Sequence, residues 1–193
     1  MSKIDGKYLR FREETNALDF LEKAGYFITQ TKSELKAWKW VIISLHGALY
    51  GFAICACKKS DPKNVTKEES GEKLISFWEA IKRCQNREKL QPMLNTRPLV
   101  LSKEQNESIE FLVNHFRNRF EHYIPCHWSI EIHGMPGIAI NVLEVIRFLA
   151  LESGTLVMLD EQQRDKVEAI ISESINFLQK SELHQELLQL KAQ

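Results

Sequence analysis

From Trp40 to Cys57 the chain reads WVIISLHGALYGFAICAC, eighteen residues without a single Lys, Arg, Asp or Glu. About eighteen such residues is the lower limit for a membrane span, and Gly47 and Gly51 form the GxxxG spacing that lets helices approach closely. Ser44 and His46 interrupt the run near its middle, however, and lysines flank both ends (Lys36, Lys39, Lys58, Lys59), so there is no orientation signal. A helix apolar all round belongs at the buried centre of a bundle or at an oligomer interface. The expectation is therefore a helix hidden from water, either by its own bundle or by a second subunit, with no membrane partner.

Everything around that run also has the helical period. Leu18, Leu21 and Phe27 mark a first helix over about Glu13–Thr31, and the apolar run lies in a second from near Ser33 to Cys57. After a polar loop, KKSDPKNVTKEESGE, a shorter helix is expected from about Glu72 to Cys84. The segment LQPMLNTRPLVLS, with two prolines, reads as a structured connection. Ser102 with Gln105 three residues later is a capping box, and it opens a strong helix that should reach Tyr123 before Pro125 stops it. WSIEI then alternates, with Trp128, Ile130 and Ile132 on one side and Ser129 and Glu131 on the other, as in a short strand or extended flap. Two further helices are expected, about Ile138–Leu151 and Glu161–Lys180, followed by a charged tail that can continue as helix. The fold class is all-α, an up-and-down helical bundle with one short extended insert after the helix that starts at Ser102.

A chain of 193 residues suits one domain, 1–193, with 1–12 and 182–193 as peripheral termini. Lys plus Arg equals Asp plus Glu, so no global basic field draws in nucleic acid, and polyanion binding needs local clustering. The opening residues MSKIDGKYLRFREE lack the apolar core of a signal peptide. Cys55, Cys57, Cys84 and Cys126 have no compact disulfide spacing, and they fit reduced thiols in a cytoplasmic protein. The same spacing is wrong for a zinc finger or ribbon, so core packing explains the cysteines better than a metal does. No cofactor is implied.

The densest polar chemistry is FRNRFEHY, Phe116–Tyr123. On a straight wheel at about 100° per residue, Ile109, Leu112, Val113, Phe116, Phe120 and Tyr123 form an apolar arc. His115, Asn118 and His122 form a stripe opposite, with Arg117 and Glu121 on one flank and Arg119 on the other. One reading is a solvated face carrying an Arg117–Glu121 surface ion pair. The other is catalytic. Cutting RNA without metal needs a base for the 2′-hydroxyl, an acid for the leaving 5′-oxygen and cations for the phosphorane charge. Histidine suits the proton transfers, and arginine suits the phosphate. Arg117 and His122 lie about 140° apart on a straight helix, so one copy converges poorly on a phosphate, whereas two copies across a dyad can.

Arg117-Asn118-Arg119-Phe120-Glu121-His122 matches the form R-N-x-x-x-H, and at these residues the chain resembles the HEPN superfamily (higher eukaryotes and prokaryotes nucleotide-binding). With Asn second and the gap fixed, about one chance match in a hundred such chains is expected. The motif falls near the end of a helix in an all-helical chain, and the following WSIEIHGMP is similar to a bacterial branch associated with toxin–antitoxin and mobile-element genes. The resemblance spans the second helix to about Ser181. It implies a metal-independent endoribonuclease that acts as a homodimer on RNA, leaving 2′,3′-cyclic phosphate and 5′-hydroxyl ends. By the same resemblance His122 is the acid–base residue, Arg117 the phosphate clamp and Asn118 the orienting group. Arg119, Tyr123 and His115 are the candidate substrate contacts, and no metal site is implied. A cognate antitoxin, nucleotidyltransferase-like or other, is an implied partner. In one HEPN toxin group a tyrosine two positions after the histidine is modified by the antitoxin. Here Tyr123 follows His122 directly and Ile124 takes the second position, so control by that route is not implied.

Some HEPN domains bind without cutting, and the alternative reading is a silent helical module for nucleotide, RNA or protein. His127 and His133 flank the insert as weaker candidates. Lys58 with Lys59, Arg83 with Arg87, and Arg97 with Lys103 are short basic groups that can line an RNA path or be simple solvated patches.

Overall fold

The computed structural model describes residues 8–58, 61–67, 73–90, 95–122, 125, 127–155 and 159–191. Among them every regular element is a helix. The expected first helix is α1 (Glu13–Gln30), and the apolar run lies in α2 (Ala37–Lys58). α3 (Phe77–Cys84) is shorter than the spacing suggests. Ser76, itself extended, caps it by accepting the Glu79 N–H, and Leu74 is bridged to Thr66. The expected start at Glu72 lies outside the described residues. Ser76-x-x-Glu79 is itself a capping signature.

α4 (103–121) begins where Ser102 and Gln105 predict, with both reciprocal bonds formed: Gln105 N–H to Ser102 Oγ at 3.1 Å and Ser102 N–H to Gln105 Oε1 at 3.0 Å. It is not one regular helix. Lys103–Glu110 is α-helical, Phe111–Arg117 is a π-helix closed by Asn118 N–H on the Val113 carbonyl, and Asn118–Glu121 is α-helical again. α5 (135–152) repeats the device: Met135–Arg147 is α-helical and Phe148–Glu152 is π-helical. It starts three residues before the expected Ile138, because Pro136 fits a first turn, where its missing N–H has no helical partner to lose. α6 (Glu161–Gln179) is boxed by Asp160 and Gln163, and the tail forms α7 (Glu182–Lys191).

The WSIEI segment forms no strand, which corrects one of the two expectations for it. The alternation survives without a sheet: Trp128, Ile130 and Ile132 are half-buried, Ser129 and Glu131 exposed. Ile130 and Ile132 pack on the core and Trp128 meets Phe120, with ring centroids 5.1 Å apart. Side-chain burial against helices, rather than backbone pairing, sets the pattern.

α2 is the centre of the bundle, in contact with α1, α3, α5 and the π-helical turn of α4. It is long and apolar enough to span a membrane, yet 67% of its most apolar window is buried inside the protein. Its GxxxG pair serves the chain's own α1. A Cβ on Gly51 would lie 2.7 Å from the Ala17 Cβ, and one on Gly47 would lie 2.5 Å from the Phe20 ring. These two glycines let α1 and α2 run in close contact. Cys55, Cys57 and Cys84 are buried, with the Cys57 and Cys84 Sγ atoms 3.6 Å apart, and they act as core side chains. Cys126 lies outside the described residues.

Candidate functional site

The π-helical turn decides where the motif side chains go. An i→i+5 turn takes an extra residue, so every position after it lags the regular wheel. Phe116, Arg117 and Asn118 become three consecutive half-buried residues. The expected stripe of His115, Asn118 and His122 does not form as a unit. Instead Arg117, Asn118 and Glu121 cluster. Arg117 donates from Nη1 to Asn118 Oδ1 at 3.0 Å, and its Nη2 lies 2.6 Å from Glu121 Oε2. The side chains of Arg117 and Glu121 are 28% and 35% exposed, so the ion pair is only partly withdrawn from water. The buried Arg117 Nε has no hydrogen-bond partner.

His122 ends the helix. Its backbone N–H still bonds the Asn118 carbonyl at 3.1 Å, but its φ of −95° and ψ of 1° leave the α-helix, and its side chain is exposed. Tyr123 lies outside the described residues. His115 and Arg119 face another side of α4. His115 sits against Phe111 (centroids 4.9 Å apart), and the Arg119 guanidinium lies over the Trp128 ring at 5.7 Å. Both line a groove of about 570 Å³ between α4, the insert and α5, whose rim also carries Glu104, Glu107 and Glu131. A larger cavity of about 1080 Å³ between α1, α6 and α7 contains no motif residue.

A residue missed at the level of sequence is His46. It stands on α2, which packs on the π-helical turn that carries Arg117. Its ring stacks on Phe77 of α3 with centroids 5.0 Å apart and planes 26° apart. Burial, helped by the nearby Arg117 charge, pushes its pKa down to about 4, so the imidazole is neutral across the physiological range. The signal was present as the one histidine inside the charge-free run, but only the packing of α2 on α4 gives that position a chemical neighbour.

Three of the remaining basic candidates, Lys58, Arg83 and Arg97, are held by internal contacts, and Lys59 lies outside the described residues. Lys58 Nζ lies 2.9 Å from Glu13 Oε1, Arg83 bonds both Glu79 and the Asn64 carbonyl at 2.6 Å, and Arg97 grips the Glu152 carbonyl through Nε and Nη2. His133 is bracketed by two carboxylates, with Nδ1 2.6 Å from Glu131 and Nε2 3.3 Å from Glu186, which ties the end of the insert to α7. His127 is exposed. No protein-family model matches this sequence, and neither the curated proteins nor the solved structures contain a significant match to it.

Proposed function

We propose that this chain is a metal-independent endoribonuclease of HEPN type, a toxin or defence effector of the cytoplasm that acts on RNA as a homodimer. Its products are 2′,3′-cyclic phosphate and 5′-hydroxyl ends, and a cognate antitoxin restrains it. The observation that carries this reading is the state of Arg117. Its guanidinium is held on two sides by Asn118 and Glu121, half-withdrawn from water, and its Nε–H has no acceptor. A cation fixed in that way stabilises the charge of a pentavalent phosphorane with little reorganisation. His122 lies five residues on, at the helix end, with its side chain exposed. In this scheme His122 delivers or removes the proton, Arg117 clamps the phosphate and Asn118 orients the clamp. His115, Arg119 and Tyr123 contact the RNA.

A second reading draws on the same ion pair. Glu121 already neutralises Arg117 and shares its local space with any incoming phosphate. A silent HEPN-like helical module that binds nucleotide, RNA or protein uses the pair only to stabilise its helix. The test is cleavage of total cellular RNA in EDTA by the purified protein and by His122→Ala. Cyclic-phosphate ends formed by wild type and absent with the variant support the nuclease. An inert, folded wild-type protein leaves the binding module as the better reading.

A further inference from the structure

We propose that a strip of aromatic rings and cations running across α1, α2, α4 and the insert is a binding platform for single-stranded RNA. It deepens the ribonuclease reading, on which it rests, by naming the class of substrate.

The strip is continuous by direct contact. On α1 the Tyr26 and Phe27 rings meet edge to face with centroids 5.2 Å apart, and Phe27 stacks on Trp40 of α2 at 5.9 Å. The Lys39 ammonium then bridges two helices, 5.0 Å from the centre of the Trp40 ring and 6.0 Å from that of Phe120 on α4. Phe120 meets Trp128 of the insert at 5.1 Å, and the Arg119 guanidinium lies over Trp128. Single exposed rings are ordinary on a protein surface. Here five rings from four segments of chain are joined into one strip with two cations among them, and only packing brings those segments together.

Three properties select the ligand. The outer rings stay open to water, with Tyr26 58% and Trp40 46% exposed. The two cations lack carboxylate partners. Lys58, Arg83, Arg97 and Arg117 each pair with a glutamate, whereas neither Lys39 nor Arg119 has an ion-pair partner among the described residues. In a chain of zero net charge, such a local excess is what polyanion binding requires. Finally, the strip offers ring faces and positive charge rather than a set of donors and acceptors. It therefore takes bases by stacking and phosphates by charge, with little regard to sequence. Bases paired in a duplex have no free face to offer, so the ligand is a single strand.

Arg119 and Trp128 also line the groove whose rim carries Glu104, Glu107 and Glu131, carboxylates that repel phosphate and close the strip at that end. There Arg119 and Phe120 follow Arg117 by two and three residues on α4, so the platform leads a strand to the motif helix. A second copy of this chain fits the face poorly. A two-fold pair centred on the strip sets Lys39 and Arg119 against their own copies, with no carboxylate among these contacts to receive them.

The experiment measures binding of a fluorescein-labelled RNA strand methylated at every 2′-oxygen, which cannot be cut, both alone and annealed to its complement. Fluorescence anisotropy at several salt concentrations compares wild type with Trp40→Phe, Trp40→Leu, Tyr26→Ala and Lys39→Gln. Circular dichroism checks that each variant is folded, and light scattering gives its oligomeric state. The single strand should bind at least about tenfold tighter than the duplex. Trp40→Leu keeps apolar bulk but loses the ring face, and Tyr26→Ala loses its ring, so each should weaken binding about 5- to 150-fold. Trp40→Phe keeps a ring and should bind within about threefold of wild type. Lys39→Gln should flatten the slope of log affinity against log salt by about 0.7, the signature of one lost phosphate contact. A merely structural lysine leaves that slope unchanged.

The platform is overturned if wild type binds no strand, if folded Trp40→Leu and Tyr26→Ala bind as wild type does, or if the duplex is held as tightly as the single strand. Variants that change the oligomeric state but not strand binding make the face a subunit interface instead. Wild type that cuts ordinary RNA in EDTA, with all four variants binding and cutting normally, keeps the ribonuclease and removes the platform. Wild type that binds the methylated strand through these residues but cuts no RNA keeps the platform and removes the ribonuclease reading.

Discussion

Arg117 Nη2 lies 2.6 Å from Glu121 Oε2, one helical turn further along α4 and just beyond the π-helical segment. The pair aims the guanidinium and, on the proposed ribonuclease reading, places a negative charge beside the group that would clamp the phosphate. Glu121→Gln keeps the shape and removes that charge. At about 5 Å in a watery, partly screened setting, one charge is worth about 1 kcal/mol, or roughly fivefold in binding. The expected outcome at low salt is a KM for RNA about fivefold lower, with a lower kcat because Arg117 is held less firmly. Steady-state kinetics at two salt concentrations separate the two effects. Stability should barely change, since an i,i+4 pair contributes a few tenths of a kcal/mol.

Arg117→Lys keeps the charge but loses the planar fork that reaches both Asn118 and Glu121. Cleavage should fall by about 10² to 10³, the usual cost of one lost transition-state donor. Single-turnover assays in EDTA, with a thermal melt beside them, check this. Retained activity would assign the arginine a structural role.

His46 also makes stability depend on pH, whatever the protein's activity. Its folded pKa is about 4 and its ordinary value 6.5. A histidine held neutral in the fold contributes its full stability above pH 6.5. Between 6.5 and 4 the unfolded chain binds a proton that the folded chain does not, so stability falls as pH drops and levels off below 4. The loss amounts to about 3 kcal/mol across that window. Urea unfolding at a series of pH values should show this slope, and His46→Gln should flatten it.

Gly51→Ala places a methyl 2.7 Å from the Ala17 Cβ and 3.1 Å from its Cα. The backbone of α1 has to move, at a cost of about 1–3 kcal/mol that exceeds the alanine's better helix propensity of about 1 kcal/mol. A lower thermal midpoint is expected. An unchanged or higher midpoint would mean that α1 shifts without strain.

Gly154 follows the end of α5 with φ at +70°, and a Cβ there would meet the Asn95 carbonyl oxygen at 2.7 Å. Gly154→Ala combines left-handed backbone strain with a backbone clash. A loss of at least about 1 kcal/mol in denaturant unfolding is expected.

Much of the fold was legible because its signals are local. The Ser102–Gln105 box, the Asp160 start of α6 and the apolar period of α1 and α2 each depend on residues within a turn or two. Where expectation and structure differ, the cause is longer range or a competing local signal. The helix expected from Ile138 begins at Met135 because Pro136 fits its first turn, and WSIEI reads as a strand or flap although no second strand exists to pair with it among the described residues. The site was legible as a motif and illegible as geometry. A wheel at constant pitch puts Asn118 with His115 and His122, whereas the π-helical turn puts it with Arg117 and Glu121.

The sequence by itself determined that the chain is helical, where most of its helices begin and end, and that one helix must be hidden from water. Those outcomes follow from hydrogen bonds and hydrophobic spacing within short stretches of chain. Only the tertiary structure decided what hides α2, that its glycines serve α1, and that His46 stacks on Phe77 of α3. Those relationships join residues 27 to 34 positions apart, and packing alone brings such residues together.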